Sequence, residues 1–396
     1  MHSRVVLGMS STVDDEVVWD EDTVSALVAE LGLTPEELGS VEPGRTGPID
    51  DLRGMVVALL GHVAEGSGAE HYVSAPGPLA ELLERFESRR TLGGTGVRAG
   101  IALAATGVAS TAVMAAADPD VHRLLPPLCR AVAAEEVQQL VPHLILQYPA
   151  GTTLRVGERT VVAPAPNRVI FAHDVPNEVL PIPEAYPALV AGAQVVVVSS
   201  LNAIRDDAVL SRRVDQVSAA LREAPHGATL IWEDAGYHVA ALALRVSRAM
   251  AAQVDIVSMN EDELQAYLGR RVDLLAADDV ARAAREVREL IGARTLVVHT
   301  RWWSLAVGDD AARYRAALRG GISMASARYA YGDALGADRY VEAGTWPSDP
   351  RSLRVAALLD ADGVVCEPGV VPPTSSPTTI GLGDTFVGGM VKVLAG

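Results

Sequence analysis

Apolar residues follow two alternating patterns along most of the chain: short continuous runs, and stretches spaced three or four residues apart. The continuous runs are RVVLGM (4–9), ASTAVM (109–114), QVVVVS (194–199), ATLIW (228–232), DIVSM (255–259), TLVVHT (295–300) and GVVCEP (363–368). Between them, 204–223, 239–251, 261–268 and 277–291 carry helical spacing. A run as short and unbroken as QVVVVS suits a strand covered on both faces. The pattern therefore predicts an α/β fold, a doubly wound core on a largely parallel sheet with right-handed helical crossovers.

One region departs from this alternation. Within 141–174, HLILQYP, TLRVG, RTVVAP and NRVIFAHD read as short antiparallel strands, with a turn at Gly157-Glu158 and prolines at their margins. An acidic helical stretch at 20–40 follows the first strand. Insertions of approximately 17–50 and 141–174 are expected to form a small β-rich lid within a single 1–396 unit. Neither an internal repeat nor a long low-complexity linker is visible.

Composition narrows the classes of function. A chain of 396 residues with 49% hydrophobic and 21% charged residues is globular. Its net charge of −17 argues against nucleic acid or an anionic membrane as a general partner. Of 33 basic residues only Lys392 is a lysine, which leaves no plausible Schiff-base lysine and no G-x-x-x-x-G-K-[ST] phosphate loop. Cys129 and Cys366 supply neither a disulfide framework nor a zinc cluster, and Cys366 reads as a small buried hydrophobe. The apolar run at the N-terminus is too short for a signal peptide, so a cytoplasmic protein is expected. The uncharged stretch 99–117 is rich in Ala, Gly, Ser and Thr and reads as a buried helix followed by a strand, not a membrane span.

Open α/β sheets keep ligands at the carboxyl ends of their strands. There the sequence places Asp14, Ser200-Leu201-Asn202, Glu233-Asp234, Asn260-Glu261-Asp262-Glu263, His299-Thr300 and the turn TTIGLGDTFVGG (378–389). In that turn Gly381 and Gly383 bracket Leu382 and precede Asp384, while Phe386, Val387, Met390 and Val391 are spaced for a helix. Two readings stand: Asp384 is a helix N-cap, or it is a base beside an anion held by backbone N–H groups. NEDEL likewise reads as an acidic helix start or as metal-binding, and GGTG as a bare helix-starting turn or as part of a pocket. His299 reads as a satisfied histidine within the sheet. Trp302 and Trp303 suit core packing or a wall near a nucleotide. No G-x-G-x-x-G follows the first strand, which disfavours a dinucleotide-dependent oxidoreductase.

Taken in order, TVD (12–14), GGTG (93–96), HLILQYPAGT (143–152), WEDA (232–235), NEDEL (260–264), VVHTRWW (297–303) and TTIGLGDTF (378–386) resemble the ADP-dependent glucokinases and phosphofructokinases, a branch of the ribokinase-like sugar kinases. The resemblance implies a ribokinase-like three-layer αβα core and phosphoryl transfer from ADP, giving AMP, to a hydroxyl of a hexose, hexose phosphate or sugar-like alcohol. It implies Asp384 as general base, with Gly381, Leu382 and Gly383 forming the anion hole. Mg2+ would be held by Glu233 and Glu263, partly through water. Asp14, Gly93, Gly94, Thr95 and Asn202 would contact the acceptor. Arg168 would meet a phosphate on the sugar, against the alternative of a solvated strand arginine. Asn260, His299 and Thr379 would lie on the nucleotide side.

Three positions depart from the family pattern: Thr12 and Thr95 stand where amide residues are usual, and Ile231 where a histidine is usual. The expected partners are a small sugar-like molecule and a nucleotide, on a monomer or small homo-oligomer. The alternatives are an ATP-dependent sugar or nucleoside kinase of the wider superfamily, or a catalytically silent binding homologue.

Overall fold

The computed structural model describes residues 4–37, 48–359, 363–375 and 377–396. The chain divides into two compact units, one of Met1–Ser11, Gly94–Val137 and Pro176–Gly396, the other of Thr12–Gly93 and Gln138–Val175. Both expected insertions fall in the second unit, except that 38–47 lies outside the described residues. That unit also takes in 51–93, beyond the expected bounds.

The first unit is built on nine strands in the order Val364–Pro368, Trp303–Gly308, Thr295–His299, Ile256–Asn260, Thr229–Glu233, Val195–Val198, Val5–Leu7, Ser110–Ala117 and Cys129–Glu136. Neighbours pair in parallel, except that Trp303–Gly308 runs against the strand on either side. The Val195–Val198 strand shows why an unbroken apolar run was needed. Its alternate side chains leave opposite faces: Val196 and Val198 join a core with Leu210, Val246 and Val287, while Val195 and Val197 join another with Leu103, Leu318 and Phe386. Helices Asp207–Leu221, Ala240–Ala251 and Ala277–Ile291 supply the first face, and Thr95–Ala105, Arg315–Tyr331 and Leu382–Leu394 the second. This is the three-layer αβα core. The stretch 99–117 resolves into the Thr95–Ala105 helix and the fully buried Ser110–Ala117 strand. Among the described residues no helix is long and apolar enough to cross a membrane.

The second unit carries five strands in the order Ala69–Tyr72, Asn167–Ala172, His143–Tyr148, Thr12–Val17 and Ser88–Gly93, and a separate hairpin, Thr153–Val156 with Arg159–Val162. Its core joins Leu27 of helix Glu21–Glu30, Leu59 and Leu60 of helix Leu52–Glu65 and Leu82 of helix Pro76–Leu83 to Leu144, Leu146, Tyr148 and Phe171. Asp14 therefore lies within the Thr12–Val17 strand of this sheet, not at a carboxyl end of the main one. The polar strands TVDDEV and SRRTLG have no continuous apolar run because their charges pair across the ladder: Arg90 forks onto Asp15 at 3.0 and 2.8 Å and Arg89 reaches Glu16 at 2.7 Å.

Candidate active site

The helix Leu382–Leu394 begins three residues earlier than an Asp384 cap would require. Gly381 is its N-cap, in the left-handed region at φ 69°, and Asp384 is the third helical residue, half-exposed in the first turn. Asp384 is thus not the cap. Thr385 closes the turn, its N–H and hydroxyl both donating to the Gly381 carbonyl at 3.0 and 2.6 Å. First-turn N–H groups have no intrahelical acceptor, so those of Leu382, Gly383 and Asp384 make a ready anion cradle. Phe386, Val387, Met390 and Val391 are buried and fix the helix against the sheet.

Arg98, which carries no local sequence signal, packs against this turn. It is nine-tenths buried on the Thr95–Ala105 helix, and a Cβ added at Gly381 would fall 2.7 Å from its Cδ and 3.2 Å from Nη1. Glycine at 381 is therefore demanded twice, by its φ and by the guanidinium against it. Gly94, at φ 88°, N-caps the helix that carries Arg98. A side chain there would collide with the Ser10 carbonyl, at 2.6 Å. Thr95 is the first residue of that helix.

Acidic side chains gather at the ends of neighbouring strands. Glu233, 6% exposed, closes Thr229–Glu233, and His299, 8% exposed, closes Thr295–His299. His299 Nε2 donates to Glu233 Oε1 at 3.0 Å, whereas Oε2 is buried without a hydrogen-bond partner. The imidazole stacks on Phe386 with centroids 4.6 Å apart, and its Cε1 lies 3.4 Å from where a Cβ on Gly383 would sit. Glu233 is thereby joined through His299 to the first turn of the Asp384 helix.

Asn260 ends the adjacent strand and caps helix Glu261–Leu268, its Oδ1 accepting from the N–H groups of Asp262 and Glu263 at 2.7 and 3.2 Å. Glu263 returns the bond, Oε2 accepting from the Asn260 N–H at 2.8 Å. Burial holds the Glu263 carboxyl well above the usual range; the Asn260 N–H opposes this, and the charges of Asp234 and Glu233 add to it. Burial likewise pushes Asp234 up to about 6, against hydrogen bonds from Tyr267, Ala235 and Ser247 and with the charge of Glu233 adding to it. Among the described residues no group of three or more His, Cys, Asp or Glu is arranged to hold a metal. Two hard carboxylates, one with an orphaned oxygen, nevertheless fit Mg2+, which keeps most of its waters.

The remaining candidates are distributed more widely. Asn202, in the turn Leu201–Ala203, donates through Nδ2 to the Gly236 carbonyl at 2.9 Å and ties that turn to the loop after Glu233. Thr379 lies in the half-buried approach to Gly381. Trp303 is core, its Nε1 donating to Leu274 O at 2.7 Å. Trp302 instead has the Arg301 and Arg351 guanidiniums 4.5 and 4.3 Å from its ring.

In the second unit Asp14 is buried and Thr12 Oγ1 donates to it at 2.6 Å. Gly93 stands opposite Thr12, and a Cβ there would fall 2.2 Å from Thr12 Oγ1 and 2.4 Å from Asp14 Oδ2. His143 pairs with Asp14 across the parallel ladder and bonds Asp174 at 3.0 Å. Arg168 lies opposite Gln147 on the antiparallel ladder.

Residues 3–339 match the model of the ADP-specific phosphofructokinase/glucokinase conserved region. No curated protein sequence matches the chain. Among solved structures, a phosphofructokinase from Pyrococcus horikoshii OT3 with AMP superposes with a TM-score of 0.76 at 16% identity, covering 100% of this chain and 98% of that one. An ADP-dependent kinase in complex with fructose-6-phosphate and ADPβS gives 0.71 at 14% identity, over 99% and 93%. The last common ancestor of ADP-dependent phosphofructokinases from Methanosarcinales gives 0.67 at 14%, over 99% and 94%.

Proposed function

Because the chain belongs to the ADP-specific phosphofructokinase/glucokinase family and is an ADP-dependent sugar kinase, we propose that Asp384 is its general base and the turn 381–383 its anion hole. The observation that carries this reading is the placement of Asp384 inside the first turn of a helix whose glycine N-cap is pressed by a buried arginine. The carboxylate takes the proton from the attacking sugar hydroxyl. The N–H groups of the same turn and the Arg98 guanidinium stabilise charge on the phosphoryl oxygens.

Glu233, through its free oxygen, and Glu263 would hold Mg2+, which neutralises phosphate charge when bound. The acceptor is a hexose, hexose phosphate or sugar-like alcohol. Asp14 is set to accept hydrogen bonds from its hydroxyls, Gly93 to allow the approach, and Arg168 to meet an acceptor phosphate.

Asp384→Asn keeps the shape and removes the base. The expected loss in kcat is roughly 10²- to 10⁴-fold with ADP affinity retained. A variant that turns over at the wild-type rate would remove Asp384 from the reaction.

A further inference from the structure

We infer that His299 is a positioning residue: it fixes the Glu233 carboxylate so that one oxygen alone is presented to a divalent cation, and links that carboxylate to the anion-binding turn. The inference rests on the reading of Glu233 as a metal ligand. It departs from any direct role of His299 in holding nucleotide.

A glutamate side chain has several rotamers, and a cation gains from a carboxylate only when that carboxylate is already oriented. His299 removes the freedom at one end. Its Nε2–H holds Oε1 at 3.0 Å, and the opposite oxygen is left buried with no partner in the protein. Such an orphan is costly unless something of positive charge completes it. The imidazole is itself immobile, because it is buried, stacked on Phe386 at an interplanar angle of 28°, and in contact range of Gly383. Phe386 and Gly383 belong to the helix that carries Asp384. One ring therefore orients the metal carboxylate and packs under the turn proposed to hold the phosphoryl group. Ile231, two residues before Glu233, is buried in the apolar layer and has no group with which to do this.

His299→Phe keeps the planar ring and its stack and removes the donor, while His299→Gln restores an N–H near the Nε2 position. The probe is Mn2+, titrated into the full-length protein with ADP and read by electron paramagnetic resonance. The expected result is 10- to 100-fold weaker Mn2+ binding in His299→Phe, recovered to within about threefold in His299→Gln. Circular dichroism shows whether each variant is folded. Wild-type affinity in folded His299→Phe overturns the inference, as does a folded His299→Gln that binds as weakly as His299→Phe. Absence of Mn2+ binding by the wild type also overturns it. A wild type that binds Mn2+ in a His299-dependent way but makes no AMP leaves the inference standing and contradicts the proposed chemistry instead.

Discussion

Gly381 is the residue at which sequence and chemistry meet most tightly. A Cβ at this position is opposed by the backbone, at φ 69°, and by Arg98 Cδ at 2.7 Å. Gly381→Ala therefore has to move the turn or the arginine, and a displacement on the order of 1 Å in a phosphoryl-binding turn costs about 10²-fold in rate. Steady-state kinetics on the folded variant should show that loss in kcat; an unchanged kcat would mean that the turn does not contact the reacting group. Gly93 is the corresponding position in the second unit. An added methyl would press on Thr12 Oγ1 and Asp14 Oδ2 at 2.2 and 2.4 Å. Gly93→Ala is expected to raise the KM for the sugar at least tenfold while leaving the KM for ADP within about twofold. Equal effects on both substrates would detach Asp14 from acceptor binding.

At the scale of elements, helix 261–268 shows how one motif serves two purposes. Asn260 and Glu263 form a reciprocal capping box, so the plain reading of NEDEL as a helix start is correct. Replacing the cap, Asn260→Ala, is expected to lower stability by about 1 kcal/mol in thermal or denaturant unfolding. A neutral change would show that the box is redundant.

The main-sheet strands were legible because burial on both faces imposes unbroken apolarity, helix 261–268 because its capping box marks the start, and helix 277–291 because its apolar periodicity is closed by Gly292. Trp303–Gly308 was not legible. It follows Thr295–His299 through a tight turn in which Thr300 Oγ1 accepts from the N–H groups of Trp302 and Trp303, at 3.0 and 3.1 Å, so only His299, Thr300 and Arg301 separate the two apolar runs and no Gly, Pro or Asn marks the turn. Cys129–Glu136 escaped because it is an edge strand of small and acidic residues. Arg98 escaped for another reason: a lone arginine on a helix has no local signal, and only the packing of that helix against Gly381 brings it to the turn.

At the scale of the whole molecule, pH acts through buried groups in both units, and two histidines of the second unit have opposite effects. Burial alone would depress the His143 imidazole, but the bond to Asp174 and the charges of Asp174, Glu70 and Asp14 carry it up to about 9. A histidine raised above its unfolded value near 6.5 contributes stability that is complete below that pH and is lost as pH rises through about 9. The contribution is on the order of 3 kcal/mol. His62 is the opposite case. Burial lowers it, against the charge of Glu65, and its Nε2 lies 2.9 Å from that of His71, a contact that cannot hold two protons. Its contribution is present above about 6.5 and disappears as pH falls. Thermal unfolding of the wild type should therefore show these two contributions jointly greatest near pH 6.5, and His143→Asn should flatten the alkaline side alone. An alkaline limb unchanged by that substitution would assign it to other groups.

The net charge of −17 makes the local arrangement more telling, since a phosphate must be met by an arginine and helix N–H groups and not by a general positive field. The most direct test of the account is a donor comparison. Purified protein with Mg2+ receives ADP or ATP and a panel of hexoses, hexose phosphates and sugar-like alcohols, and AMP and ADP are quantified directly. The expected result is AMP formed from ADP with one acceptor of the panel, dependent on Asp384. Formation of ADP from ATP with no AMP from ADP would contradict it.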